Sequence, residues 1–200
     1  MLKTISHIES LLEQGKVGLP EILALRRELQ APFKLHPLGF IACTLLTEGS
    51  RKLRLHYWPL TGTVQQSPDC QIHDHLFEFT SWVIAGEIVN VEYKLSQSGQ
   101  EFAEYRVEYS GDQSILTKTP NVIKLTEHNR SLYKEGSTYS VRSGVLHETQ
   151  RTGLQKACTI LLTNDVSESS PLVLGPVSGL AQYVYQRSNI DEAVVEQLLF

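Results

Sequence analysis

Apolar positions divide this chain into two textures. Ile5, Ile8, Leu11 and Leu12 recur at helical spacing until Gly15, and Ile22, Leu23, Leu25 and Leu29 form a second apolar face between Pro20 and Pro32. That spacing predicts two short helices, because residues three and four apart share one face of an α-helix. From Gly39 onward, short runs of β-branched and aromatic residues predict strands at 40–47, 52–58, 73–85, 88–95, 102–109, 122–128, 138–142, 146–150 and 157–163. Glycine punctuates them at Glu48-Gly49-Ser50, Ser98-Gly99-Gln100, Ser110-Gly111-Asp112 and Lys134-Glu135-Gly136, each read as a reversal of the backbone. The stretch 167–178, rich in serine and proline, reads as a surface loop, and a strand follows at 181–186. Asn189, with Glu192 on the third position after it, reads as the cap of a last helix ending at Leu199.

Many short strands with turn signals between them predict an all-β fold, a sandwich or barrel. The expected organisation is one domain: a helical segment at 1–38 packed on a barrel of 39–187, then a C-terminal helix at 188–200. The chain has 200 residues, of which 41% are hydrophobic, which is enough for one buried core. A net charge of −4 with no basic run argues against nucleic acid as a partner. No apolar run reaches bilayer length, so no membrane partner is expected either. The start, Met1-Leu2-Lys3-Thr4-Ile5-Ser6, lacks the basic and apolar regions of a secretory signal. Cys43, Cys70 and Cys158 are odd in number and scattered, which fits reduced thiols in a cytoplasmic protein.

Candidate chemistry centres on His73, His75 and His147. In an extended strand, residues i and i+2 project from one face, so His73 and His75 can aim at one point. A third imidazole from a distant strand would close a three-nitrogen cap on a divalent metal, leaving coordination positions open for other ligands. The run 52–58 alternates: Leu53, Leu55 and Tyr57 make an apolar face, while Lys52, Arg54, His56 and Trp58 make the other. That second face either lines a binding cup, where Arg54 and His56 would meet substrate, or is a solvated outer surface. Arg151, on the fourth position after His147, is a second candidate for holding an anion. His7, His36 and His128 are expected to be exposed, and Asp74 to be structural.

The two histidine stretches resemble the paired motifs of the cupin superfamily. Gly136, Gly144 and His147 fall at the spacing of the second motif, with Arg142 in place of its proline and Arg151 in place of its asparagine. His73, His75 and Gly86 match the first motif, with Ser67 at its leading glycine and Phe79 in its glutamate slot. Glu78 lies one residue early and should face away from the histidines, because side chains alternate across a strand. The resemblance implies a double-stranded β-helix, the cupin jelly-roll barrel, with His73, His75 and His147 as metal ligands, and a homodimer by analogy.

Among cupins, a three-histidine site without the glutamate resembles that of the thiol dioxygenases, which implies iron(II), with zinc, manganese or nickel as alternatives. The Ser-His-Tyr element of that group is missing from 157–163, as is its arginine from 40–47. The run His73-Asp74-His75 with Phe77-Glu78-Phe79 also looks like that of small cupins carrying His-Asp-His-Pro-Trp-Asp-Phe. Three functions therefore stay open. The first is an iron(II) oxygenase taking O2 and a small, anionic, thiol or amino-acid-like substrate. The second is a redox-neutral metal cupin (a lyase, isomerase or decarboxylase), and the third a non-catalytic cupin that binds a small ligand.

Overall fold

A computed structural model describes residues 4–60, 69–152, 155–166 and 170–199; Ser67, in the place of the first motif's glycine, lies outside them. Two helices, α1 (Ile5–Glu13) and α2 (Leu19–Leu29), precede the strands, as their apolar spacing predicts. The strands are β1 (Lys34–Leu35), β2 (Ile41–Glu48), β3 (Arg51–Trp58), β4 (Ile72–His73), β5 (Phe77–Ala85) and β6 (Glu87–Ser110). There follow β7 (Gln113–Lys134), β8 (Thr138–Val141), β9 (His147–Arg151), β10 (Ala157–Asp165), β11 (Leu172–Gly175) and β12 (Gln182–Gln186), then the helix α3 (Glu192–Leu199).

The strands form two antiparallel six-stranded sheets, ordered β1-β2-β3-β10-β5-β8 and β11-β4-β9-β6-β7-β12. Within them the run from β3 to β10 supplies the inner orders 3-10-5-8 and 4-9-6-7. That interleaving is a jelly roll wound as a double-stranded β-helix. The all-β barrel expected from the strand pattern and the motif spacing is therefore the observed fold.

Period-two alternation divides the first sheet cleanly. Leu53, Leu55 and Tyr57 of β3 and Cys158, Ile160 and Leu162 of β10 face outward, into a core completed by Ile5 and Ile8 of α1, Ile22 and Leu25 of α2 and Val195 of α3. The opposite face carries Trp58, Phe79, Val83, Tyr139 and Leu161 into the barrel. α3 is fastened to this arrangement by an ion pair from Glu192 to Arg26 and by a hydrogen bond from the Tyr57 hydroxyl to the Leu198 carbonyl. No helix among the described residues is long and apolar enough to cross a membrane.

Four expectations are corrected. Ser98-Gly99-Gln100 is not a reversal: Leu95 and Gln100 both stand opposite Leu125, so residues 96–99 are an excursion within one long strand. The same glycine signal serves a bulge or a turn, and only tertiary pairing separates them. The bend lets one half of β6 pair with β9 and the other with β11. The expected strand at 73–85 is broken between β4 and β5. Part of the expected loop 167–178 is the strand β11, which pairs with both β4 and β6; residues 167–169 lie outside the description. Asp191, not Asn189, caps α3, accepting the Ala193 N–H at 2.7 Å, while Asn189 bridges to Lys34.

Gly86 alone links β5 to β6 as the chain passes from one sheet to the other. Its φ is +70°, and a Cβ there would sit 2.1 Å from the Lys156 carbonyl oxygen. Gly49 has a similar φ of +61° with open space around it. Gly49→Ala should therefore cost about 1 kcal/mol from backbone strain alone, and Gly86→Ala more than about 2 kcal/mol because the clash adds. Urea unfolding of the two variants checks this, and equal losses would contradict it.

Candidate metal centre

Antiparallel pairing brings the two cupin-like motifs together. β4 lies beside β9, and His73 stands directly opposite His147 in register. His75 lies beyond the end of β4, so its position does not come from strand alternation. Instead its carbonyl accepts hydrogen bonds from the Ser143 hydroxyl at 2.9 Å and the Gly144 N–H at 3.3 Å. Gly144, a glycine of the second motif, thus fixes a histidine of the first. Asp74 is structural as expected: its carboxylate accepts the Leu172 N–H at 2.6 Å and its own N–H donates to the Leu172 carbonyl.

The three rings converge, with centroid separations of 4.7 Å (His73–His75), 4.9 Å (His73–His147) and 5.1 Å (His75–His147). One ligating nitrogen from each lies within 4.8 Å of the others. Two second partners fix the orientation: Nδ1 of His73 is 2.7 Å from the Gln71 carbonyl, and Nδ1 of His147 is 3.1 Å from the Val145 carbonyl. A carbonyl only accepts, so Nδ1 carries the proton in both rings and Nε2 keeps its lone pair for a cation. His75 is held flat against Phe77, 4.3 Å between centroids.

Burial keeps these rings uncharged. The His147 imidazole is pushed down to about 3, chiefly by burial and then by His73. His75 is held well below its ordinary value by burial and by both neighbouring histidines. His73 is lowered because burial outweighs the Gln71 carbonyl and the Asp74 charge. Neutral imidazole is the form that binds a metal, so the donor set fits a divalent cation. Glu78 takes no part; it is exposed on β5, while Phe79 faces inward beside His147.

The cluster opens into a cavity of about 720 Å³ inside the barrel. Lys52, Arg54, His56 and Trp58 all line it, so the polar face of β3 is a cup wall and not a solvated surface. The Arg54 guanidinium lies 5.0 Å from the Phe77 ring centre, and its Nε is buried without a hydrogen-bond partner among the described residues. Burial lowers its pKa, outweighing the charge of Asp165, a carboxylate already engaged by Lys52 at 2.6 Å. His56 packs 4.6 Å from Phe40 and is pushed down to about 3 by burial and then by Arg54. Tyr139 also lines the cavity, its phenol pushed up to about 12 by burial.

Arg151 is not brought to this site: it does not line the cavity, and its guanidinium donates to the Pro59 carbonyl at 2.9 Å. It shares a face with His147 but sits at the far end of β9, past the cavity wall that ends at Thr149. His7 and His128 are exposed, as expected. His36 is not: it lines the cavity with its ring stacked 4.2 Å from Phe40, and burial holds its pKa well below the ordinary value. Its Nδ1 accepts the Leu38 N–H at 3.2 Å, which leaves Nε2 as a donor. Arg187 is a second residue that the sequence pattern does not mark; it reaches the cavity from beyond β12. The three cysteines are buried and not disulfide-bonded.

No protein-family model matches this sequence, and no curated protein matches it. Solved structures similar in fold include the DMSP lyase DddQ from Ruegeria pomeroyi DSS-3, at 19% identity and TM-score 0.37 over 66% of this chain and 50% of that one. Hydroxypropylphosphonic acid epoxidase from S. wedmorenis aligns at 14% identity and TM-score 0.41 over 66% of this chain and 55% of its own. A structure of the DMSP lyases RdDddP and RnDddQII aligns at 14% and 0.36, over 66% of this chain and 51% of that one. The chain spans about half the length of each.

Two outcomes follow from the geometry. His147→Ala should weaken retention of a divalent metal by more than about a hundredfold while leaving the β-sheet circular dichroism unchanged; full occupancy in that variant would defeat the ligand assignment. The second concerns pH. His56 and His147 have folded pKa values of about 3, below the 6.5 of the unfolded chain, so the unfolded state binds more protons between those values. Metal-free protein should therefore lose stability as pH falls from 6.5 toward 3, by up to about 1.4 kcal/mol per pH unit for each histidine. Urea titrations at several pH values read the slope, and His56→Leu should flatten it; a slope unchanged in that variant would contradict the assignment.

Proposed function

We propose that this chain is a mononuclear metal-dependent enzyme, an iron(II) oxygenase acting on an organic anion. The observation carrying this reading is the convergence of His73, His75 and His147, uncharged and without a carboxylate among them, at the wall of a cavity that also holds a hydrogen-bond-deficient arginine. A cation held there by three neutral ligands keeps its charge and its open coordination positions, and so supplies a meeting point for an anionic substrate and O2.

The remaining work belongs to this chain's own groups. The Gln71 and Val145 carbonyls fix the tautomers of His73 and His147, so ligand geometry does not have to be found anew at each turnover. Arg54 offers an unpaired N–H edge to a carboxylate, and orienting a substrate in this way turns a chance encounter into a positioned one. Phe40, Trp58, Phe79 and Leu161 form the apolar wall that excludes water. The Nε2–H of His36 adds a neutral donor to the same cavity.

A redox-neutral reaction at this centre would need a base poised near neutrality. In the metal-free chain His56 lies at about 3 and Tyr139 at about 12, so a redox-neutral reaction would draw its base from water on the cation, and the need for oxygen separates the two readings. Iron(II)-loaded protein, screened for oxygen uptake with small thiols, amino acids and aromatic acids, should consume O2 with at least one of them. The uptake should vanish in His147→Ala. Turnover of the same substrate under argon would overturn the oxygenase assignment.

A further inference from the structure

Two kinds of side chain line the cavity. Phe40, Trp58, Phe79 and Tyr139 are aromatic, with Phe40 and Trp58 5.2 Å apart and Phe79 and Tyr139 5.9 Å apart. Lys52, Arg54 and Arg187 are basic, with Asp165 as the carboxylate among the residues lining the cavity. Lys52 takes that carboxylate. Arg187 donates to the Ser114 hydroxyl and lies 5.2 Å from the Tyr109 ring centre; neither it nor Arg54 forms an ion pair among the described residues. Arg54 is half-buried, and a guanidinium whose Nε has lost water and gained no acceptor is costly unless a ligand provides one.

Size narrows the ligand further. Pockets of roughly 300–1,000 Å³ enclose ligands well above amino-acid size. A cavity of about 720 Å³ would leave an amino acid as small as cysteine surrounded mostly by water. The flat walls match a planar body, and the edge of one guanidinium, Nε with one terminal nitrogen, matches the two oxygens of a carboxylate.

We propose that the ligand of this cavity is an aromatic carboxylic acid of fused-ring size, its carboxylate paired with Arg54 and its rings against Phe40, Trp58 and Phe79. This deepens the proposed function, and that the acid is a substrate rests on that reading. Phe77 sets the distance from acid to metal centre: it carries the Arg54 guanidinium at 5.0 Å and the His75 ring at 4.3 Å. The bound carboxylate therefore lies one ring away from His75.

Calorimetric titration of the purified chain, with its metal content measured in parallel, tests the assignment using 2-naphthoate, benzoate, 2-naphthamide and L-cysteine as probes. The expected result is that 2-naphthoate binds at least tenfold tighter than each of the others. Arg54→Gln should weaken 2-naphthoate at least tenfold, Arg54→Lys should restore only part of the loss, and neither should change metal content or circular dichroism. Tightest binding of cysteine, equal binding of the amide and the acid, or unchanged affinity in well-folded Arg54→Gln would each overturn the proposal. The two readings fail separately. Arg54-dependent naphthoate binding in a chain that holds no added iron(II) or zinc would sink the metal enzyme and support the acid site. Metal retention with no naphthoate binding would do the reverse.

Discussion

Three imidazoles brought together in a desolvated wall are the constraint on which this structure turns. Backbone carbonyls claim the Nδ1 protons of His73 and His147, so these rings cannot turn their N–H groups inward without breaking those hydrogen bonds. Protonation is no escape, because burial holds all three rings below the ordinary imidazole value, and neighbouring histidines add to it at His75 and His147. A divalent cation at that point would take a lone pair from each ring. The jelly roll serves this arrangement by laying β4 against β9, which sets His73 opposite His147.

The same alternation that builds the core also builds the cavity wall. On β3, Leu53, Leu55 and Tyr57 are drawn beneath the helices, which forces Lys52, Arg54, His56 and Trp58 to the barrel interior. A charged side chain inside a barrel is expensive without a partner. Lys52 finds Asp165, whereas Arg54 finds an aromatic face and keeps an unpaired edge. Stability alone does not explain that edge, which a ligand carboxylate would complete.

The barrel, the three histidines and the polar face of β3 were legible in the chain because each is written in a local period: two along a strand, or a fixed motif spacing. Glu78 was likewise readable as facing outward, since one residue of displacement flips a side chain across the sheet. What escaped depends on partners far away in sequence. The glycine at Gly99 marks a bulge instead of a reversal because Leu125 continues to pair on both sides of it. The strand β11 hides among prolines and serines and exists because β4 and β6 offer it open edges. His36 enters the cavity through its stack on Phe40, and Arg187 through the path of the chain beyond β12; neither position has a sequence signal. Arg151 was misplaced for a related reason: facing the right way along β9 does not say how far the cavity extends.

Anomalous diffraction from crystals grown with iron(II) or zinc bears most directly on the claim that three imidazoles hold one cation. A single peak about 2.1 Å from the Nε2 atoms of His73 and His147 and from one ring nitrogen of His75 is the predicted result. A peak elsewhere, or rings whose Nε2 atoms turn away from one another in metal-soaked crystals, would contradict it.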